Sequence, residues 1–221
     1  MLLLAVDTST TAITVALHDG MRTLAEATTL DARGHAEHLA PGLTRVLGEA
    51  DATPGDLTDI VCGLGPGPFT GLRVGLVTAR TLAFVTGARL HGVCSLDALA
   101  YQAGLDVELL VATDARRKEV YWARYAPGGD GIPVRVGGPH VGRAADLPVE
   151  VSRLPAVGRG PALYPNAFGS PLDGPLDVSA PALAELAARR LAAGETLDEH
   201  EPYYLRRPDA APSVSTKSAL G

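Results

Sequence analysis

The sequence predicts an α/β protein made from two copies of one plan, each copy a lobe with a mixed sheet and flanking helices. Each half opens with an apolar strand that ends on an aspartate, LLLAVDTST from Leu2 and ELLVATDARR from Glu108. In the first half a meander of strands is followed by strands that alternate with helices, the order of a sheet with antiparallel and parallel parts. A chain of 221 residues, 46% hydrophobic, with mean hydropathy +0.13, can bury such a core. We expect lobes at 1–103 and 104–207 and a disordered tail at 208–221.

The first three strands form the predicted meander. Residues 2–7 are a continuous apolar run, and residues 11–17 are rich in β-branched side chains, so both are expected to be strands. Asp19-Gly20 is the signature of a two-residue hairpin turn. It leads to a third strand at about residues 21–30, which pairs antiparallel with the second.

Helices and strands then alternate through the rest of the first half. Residues 37–50 place apolar side chains on one helical stripe, with Pro41 required near the first turn or at a kink. Further along, the patterns predict a buried strand, a helix, a strand and a helix at 59–64, 71–85, 88–94 and 95–102. These later strands should pair in parallel.

The second half repeats the plan with weaker signals. Strands are expected at 108–114 and 119–125, with a third at 132–136, and a helix at 182–193 that begins after Pro181. Proline, glycine and arginine dominate between 137 and 175, where the pattern decides no structure.

Used twice, this plan is that of the ribonuclease-H-like, actin-like ATPases, in which the hairpin after the first strand of each lobe contacts nucleotide phosphates. Asp7, Thr8 and Ser9 follow the first strand and are candidates for a vestigial phosphate contact. The alternative is a turn whose side chains bond their own backbone. The short pattern DTST, Asp7 to Thr10, does not decide between the two.

Charge and cysteine usage limit the partners and cofactors. The formal net charge is −6, whereas a protein that holds nucleic acid by itself presents a basic field, so any contact with RNA should pass through a partner. Cys62 and Cys94 lack CxxC spacing and are expected to be buried free thiols. His35 and His38 do not fit HExxH, so no metal site is predicted. No apolar run is long enough to span a bilayer, and we expect a cytoplasmic protein.

The glycine-rich stretch GLGPGPFTGLRVG, Gly63 to Gly75, raises the choice between a phosphate and a protein partner. It lacks the lysine of a Walker loop and the last glycine of a dinucleotide fingerprint. The following helix, 71–85, is apolar almost all round and so needs cover on both sides. Gly71 and Gly75 would let a helix of another chain approach closely; packing on its own lobe is the alternative.

Three arginines are candidate anion contacts. Arg73 lies in the first turn of the helix at 71–85, where the helix dipole disfavours a cation unless an anion is near. Arg116 and Arg117 lie in the basic stretch DARRKE, which is either a solvated hairpin tip or an anion-facing loop.

Six blocks in order along the chain resemble the TsaB (YeaZ) family, bacterial partners in making threonylcarbamoyladenosine in tRNA. The glycine-rich block is the most specific, although Pro68 stands where the family more often has serine. The blocks are LAVDTST at 4–10, RGHAEHL at 33–39, GPGPFTGLRVG at 65–75, SLDALA at 95–100, DARRKEVYWARY at 114–125 and PYYLR at 202–206.

The resemblance implies a non-catalytic scaffold for the catalytic paralogue TsaD, working with the ATPase TsaE or pairing with a second copy of itself. In TsaD the segment matching Ser95 to Leu99 has histidines four apart, and neither residue here can replace an imidazole. The chain should therefore hold no catalytic residue, metal or cofactor of its own, with ADP or ATP at the partner interface as the remaining option.

In the family the interface is formed by the helices that correspond to 37–50 and 71–85. We expect Gly75→Arg to abolish association while the chain stays folded. The interface residues implied here are Leu39, Leu43, Leu47, Phe69, Gly71, Leu72, Gly75, Leu76 and Ala79.

Three rival functions remain at this point. The first is a small actin-fold ATPase or kinase that acts alone, with phosphate loops at Asp7 and Asp114; the bulky side chains after Asp114 argue against it. The second is a metallopeptidase, which the missing HExxH helix disfavours. The third is a purely structural homodimer, which only a partner experiment separates from the scaffold.

Overall fold

Two five-stranded sheets form the framework of the protein. The computed structural model describes residues 1–31, 34–198 and 200–206, so the tail expected at 208–221 lies outside the described residues. The first sheet has the order β3-β2-β1-β4-β5, with β2 antiparallel to both neighbours and β1, β4 and β5 parallel. Its strands are β1 (Leu3–Asp7), β2 (Ala12–His18), β3 (Thr23–Leu30), β4 (Asp59–Gly63) and β5 (Arg89–Val93).

The second sheet repeats that order and those directions. It runs β8-β7-β6-β9-β10, with β6, β7 and β8 antiparallel and β6, β9 and β10 parallel. Its strands are β6 (Leu109–Asp114), β7 (Glu119–Ala126), β8 (Val134–Arg143), β9 (Pro155–Val157) and β10 (Ser170–Pro171). The predicted duplication is thus confirmed at the level of topology.

Helices connect the strands and cover the sheets. The helix expected at 71–85 begins two residues earlier, after Pro68, because proline fixes the backbone that leads into the first turn; Thr70 provides no cap. The helices are α1 (His35–Glu49), α2 (Phe69–Thr86), α3 (Ser95–Ala103), α4 (Val149–Ser152), α5 (Arg159–Leu163) and α6 (Ala180–Ala192). None of the described helices is long and apolar enough to cross a membrane.

The largest apolar cluster joins the two lobes. Leu3 of β1, Leu99 of α3, Leu109 of β6 and Leu183 of α6 belong to it, and none is more than 1% exposed. Helix α6 packs on β1 and β2 of the first sheet. The helix that ends the second half of the chain therefore lies against the first lobe, because burying its apolar stripe requires that sheet.

Candidate functional site

The turn after β1 holds the first predicted phosphate contact, Asp7, in a closed network of hydrogen bonds. One carboxylate oxygen, Oδ1, accepts hydrogen bonds from the backbone N–H and the hydroxyl of Ser9, both at 2.7 Å. The other, Oδ2, accepts one from the hydroxyl of Ser95 at 2.5 Å. A Cβ at Gly63 would overlap the carboxylate from the remaining side. In this structure the Asp7 carboxylate therefore bonds its own chain, as the turn alternative predicted.

Burial decides the protonation behaviour of Asp7. The side chain is inaccessible to solvent, and desolvation raises the pKa of the carboxyl, while the hydrogen bonds from Ser95 and Ser9 oppose that shift. A phosphate facing this group would meet either a buried proton or a buried negative charge. Neither state offers the phosphate a cation.

Thr8 fastens the same turn to helix α2. Its hydroxyl donates to the carbonyl of Gly71 at 2.7 Å and accepts from the N–H of Gly75 at 2.9 Å. A Cβ at Gly75 would lie 2.6 Å from that hydroxyl oxygen, and one at Gly71 would lie 2.9 Å from the Thr8 carbonyl. The two glycines thus admit a turn of their own lobe. This packing favours the own-lobe alternative over the close approach of a partner helix, and the effect of Gly75→Arg on folding stays a prediction.

The other interface candidates divide between the inside and the surface of the first lobe. Leu43, Leu47 and Phe69 are half-buried. The buried candidates are Leu39, Leu72, Leu76 and Ala79, which lie in or beside the core under the first sheet. In the folded chain these four side chains face their own lobe.

The outer face of α2 carries apolar residues that sequence reasoning did not single out. Val77 is 59% exposed, Phe84 90% and Val85 75%. Val77 and Phe84 are seven residues apart and so share one face, which is opposite to that of Leu72 and Leu76. The helical period could have separated these faces, but on a helix apolar all round it does not say which one is buried.

Arg73, the predicted anion contact on α2, has aromatic neighbours. Its guanidinium lies 4.4 Å from the ring centroid of Phe69, and its Nε donates to the Tyr204 hydroxyl at 3.3 Å. The rings of Phe69 and Tyr204 are 5.2 Å apart. These neighbours, which include the last described segment of the chain, are aromatic and not anionic, so the anion contact of Arg73 stays a prediction.

The space between the lobes, where the two hairpins meet, is nearly closed. Thr11 donates its N–H to Asp177 at 3.2 Å, and Tyr121 donates its hydroxyl to the Gly67 carbonyl at 3.3 Å. The hydroxyls of Thr10 and Thr113 border the remaining cavity, and each is buried without a hydrogen-bond partner in the described structure. The cavity volume is about 20 Å³, which is room for a water molecule rather than a nucleotide.

The turn after β6 differs from the turn after β1. Arg116, Arg117 and Lys118 all have left-handed backbone, with φ of 64°, 53° and 65°. Arg116 lies 3.5 Å from Asp114 in an ion pair and borders the interlobe cavity. Arg116 and Arg117 are exposed at the hairpin tip, so their anion contact stays a prediction.

Ser95 and Leu99, which the family resemblance sets against the paired histidines of TsaD, have structural roles here. Ser95 accepts a hydrogen bond from the Gly65 N–H at 2.9 Å while donating to Asp7. Leu99 is fully buried in the cluster between the lobes. In the described ranges no group of three histidine, cysteine or acidic side chains is placed to hold a metal.

The two cysteines are buried and free, as predicted. Burial raises the pKa of Cys94 to about 12 and that of Cys62 further. His35 is also buried, at 8% exposed, and its Nε2 atom lies 3.3 Å from the carbonyl oxygen of Thr10.

Comparison with known proteins identifies the relatives of this fold. A profile of the family described as TsaD, tRNA N6-adenosine threonylcarbamoyltransferase, matches residues 24–167. An uncharacterized protein of Mycobacterium tuberculosis is 43% identical over 215 residues, which are 95% of this chain and 93% of the relative. Another, of Mycobacterium leprae, is 41% identical over 224 residues; they cover 99% of this chain but 58% of the relative, so the chain spans little more than half of that protein.

Named relatives and a solved structure agree with the profile. The tRNA threonylcarbamoyladenosine biosynthesis protein TsaB of Bacillus subtilis is 35% identical over 127 residues, 57% of this chain and 55% of the relative. YeaZ from Pseudomonas aeruginosa superposes with a TM-score of 0.80 at 31% identity, over 92% of this chain and 99% of that chain. Together with the repeated sheet order, these matches confirm the duplicated actin-like fold and show that the chain belongs to the TsaB (YeaZ) family.

Proposed function

We propose that this chain is a non-catalytic scaffold subunit required for threonylcarbamoyladenosine modification of tRNA in the cytoplasm. In this role it binds a TsaD-type catalytic subunit, works with a TsaE-type ATPase, and meets tRNA only through the complex. The names of the TsaB relatives supply the modification. The observation that carries the scaffold role is the outer face of α2, defined here by Val77, Phe84 and Val85.

An apolar outer face is unusual for a helix whose inner face already lies on a core. Leu76 belongs to the core under the first sheet and Leu72 is buried, so nothing in the described fold requires apolar side chains on the outer face. Exposed apolar side chains favour association, since each would gain free energy when covered. A second copy of this chain is the competing partner for the same face.

The non-catalytic part of the proposal is supported by Ser95 and Leu99, which occupy the positions that the family resemblance matches to the paired histidines of TsaD. Ser95 is engaged in the buried network with Asp7, and Leu99 is part of the core. The interlobe cavity is too small for a nucleotide between the lobes, and we propose ADP or ATP at the partner interface as the ligand to test.

The test is co-purification with the TsaD-type protein of the same host. Phe84→Asp places a charge on the outer face of α2 and should reduce association at least tenfold, because an unpaired carboxylate would be desolvated in the contact. Size-exclusion chromatography with light scattering measures the complex. Threonylcarbamoyladenosine in digested tRNA, quantified by mass spectrometry in a depleted host, measures the function.

Val107→Asp is the matched control, since Val107 is an exposed valine outside α1 and α2. It should leave association and modification at the wild-type level. Association that survives Phe84→Asp would refute the proposed surface, and steady ATP hydrolysis by the chain alone would refute the scaffold role. A self-dimer that Phe84→Asp dissociates, with TsaD binding unchanged, would assign the surface to a second copy.

A further inference from the structure

A pocket of about 560 Å³ lies in the second lobe, away from α1, α2 and the interlobe cavity. It is enclosed by the turn after β6, the end of β8 and the short helical segments that replace long crossovers in this lobe. Its lining includes two cations, Lys118 and Arg143, and the apolar or aromatic side chains of Leu147, Leu163 and Tyr164. We call it the second-lobe pocket; its volume lies in the range of small-molecule sites.

The charges that border this pocket are all of one sign. Lys118 and Arg143 are the charged residues of its lining, and no carboxylate borders it. Within the residues that the structure describes, neither cation forms an ion pair. On a chain of formal net charge −6, two unpaired cations at the mouth of one cavity favour a bound anion.

Apart from the two cations, the lining of the pocket is largely apolar and carries a ring. Leu163 is 50% exposed and Val149 60% exposed, and both border the pocket above the buried Leu147. Tyr164 is half-buried and supplies the ring of this lining. A flat apolar group would lie against these side chains while an anionic group reaches the cations.

The backbone holds Lys118 at the mouth at a cost. Arg116, Arg117 and Lys118 are three consecutive non-glycine residues with positive φ, a conformation that costs about 1 kcal/mol or more for each. The carbonyl of Lys118 accepts a hydrogen bond from the N–H of Ala144 at 3.1 Å, which fixes the turn against the residue after Arg143. The two cations are thus held together by main-chain bonding.

We propose that the second-lobe pocket binds a nucleotide unit, with the phosphate at Lys118 and Arg143 and the base against Leu147, Leu163 and Tyr164. The ligand is recognised by the combination of an anion and a flat ring. A free nucleoside monophosphate and the 5′ end of an RNA strand both offer this combination, and the second would be a direct RNA contact in addition to the tRNA contact proposed through the complex. The inference does not rest on the proposed function, because no residue of the α2 outer face takes part.

The test is a titration of the full chain with adenosine 5′-monophosphate. Calorimetry measures the affinity, and changes in the NMR amide shifts locate the binding site. We expect shifts at residues 118, 143–147 and 163–167. Lys118→Asn, which suits the left-handed backbone, and Arg143→Gln should each weaken binding about tenfold. Arg153→Gln is the matched control: Arg153 is exposed in the same lobe but outside the lining, and its loss should leave affinity unchanged.

A second variant separates loss of charge from loss of space. Ala145 borders the pocket and is exposed, so Ala145→Trp should fill the pocket, abolish binding and keep the fold. Adenosine and inorganic phosphate should each bind at least tenfold more weakly than the monophosphate. A 5′-phosphorylated RNA tetranucleotide that binds more tightly, with the same dependence on Arg143, assigns the ligand to RNA; equal or weaker binding assigns it to the free nucleotide.

Three results would overturn the proposal. One is an absence of shifts at the pocket residues on addition of the monophosphate. Another is equal binding by the wild type and folded Lys118→Asn and Arg143→Gln variants. The third is binding of inorganic phosphate as tight as that of the monophosphate, which would leave no role for the base.

Discussion

The two lobes have the same sheet but different crossovers. In the first lobe β3 is joined to β4, and β4 to β5, through α1 and α2, which have 15 and 18 residues. In the second lobe the equivalent connections contain α4 and α5, of four and five residues. Sheet order therefore does not depend on crossover length, and the long helices of the first lobe create an outer surface that the second lobe lacks.

The turns after the first strand of each lobe show the same divergence. Asp7 is buried and bonded by Ser9 and Ser95, whereas Asp114 lies beside exposed Arg116. One turn has become part of the core, and the other remains open to solvent with basic side chains. A ligand has room at the second turn and none at the first.

The largest expected effect breaks the packing of the first turn on α2. Gly75→Arg should lower the free energy of unfolding by about 3 kcal/mol or more, because the new side chain must displace Thr8 from the helix. Chemical denaturation followed by circular dichroism measures it. Gly48→Arg is the matched control on α1, where nothing lies within 4 Å, and should be neutral or stabilising by up to about 1 kcal/mol. A Gly75→Arg chain as stable as the wild type would contradict the packing.

The next effect concerns the pH dependence that Asp7 gives to stability. Since the pKa of Asp7 is raised above 3.8 in the folded chain, the folded state binds this proton more tightly than the unfolded state. Its contribution to stability is therefore full at low pH and is lost as pH rises from about 4 through the folded pKa. Asp7→Asn should remove that decline, as measured by urea midpoints between pH 4 and 8.

Asp56→Asn provides a control of opposite sign. Hydrogen bonds from Thr53 lower the pKa of Asp56, so its contribution is present above about pH 4 and is lost as pH falls. Its replacement should leave the decline between pH 4 and 8 in place. If Asp7→Asn retains the wild-type slope, the buried carboxyl is not the group responsible.

The smallest effect sharpens the comparison of α2 with its counterpart α5. Phe84→Ser and Leu163→Ser should each change the free energy of unfolding by less than about 0.5 kcal/mol, because both side chains lie on the surface. Leu72→Ala, on the buried face of α2, should cost about 2–5 kcal/mol. A large cost for either serine variant would mean that the exposed face supports the fold.

Sequence periodicity predicted the first lobe well and the second lobe in part. The strands of the first lobe lie within about two residues of their expected bounds, since most of them are buried apolar runs and turn residues mark the hairpin before β3. The third strand of the second lobe, expected at 132–136, is β8 and extends to Arg143. The pattern typical of a strand is interrupted in β8 by Gly137, Gly138 and Pro139. Such residues are tolerated there because β8 is an edge strand.

The secondary structure of residues 137–175 could not be predicted because the helices and strands in this interval are short. Strands β9 and β10 have three and two residues, and α4 and α5 have four and five. A helical or strand period cannot be recognised over so few residues. The second-lobe pocket, which these elements enclose, could not be predicted for the same reason.

The sequence by itself determined that the chain repeats one α/β plan, that an aspartate ends the first strand of each lobe, and that α2 is apolar almost all round. Composition and local spacing carry this information. Only the tertiary structure decided which face of α2 is buried and that Gly75 makes room for Thr8, 67 positions earlier in the chain. Contacts between distant segments depend on how the sheets bring them together, and no local period encodes that.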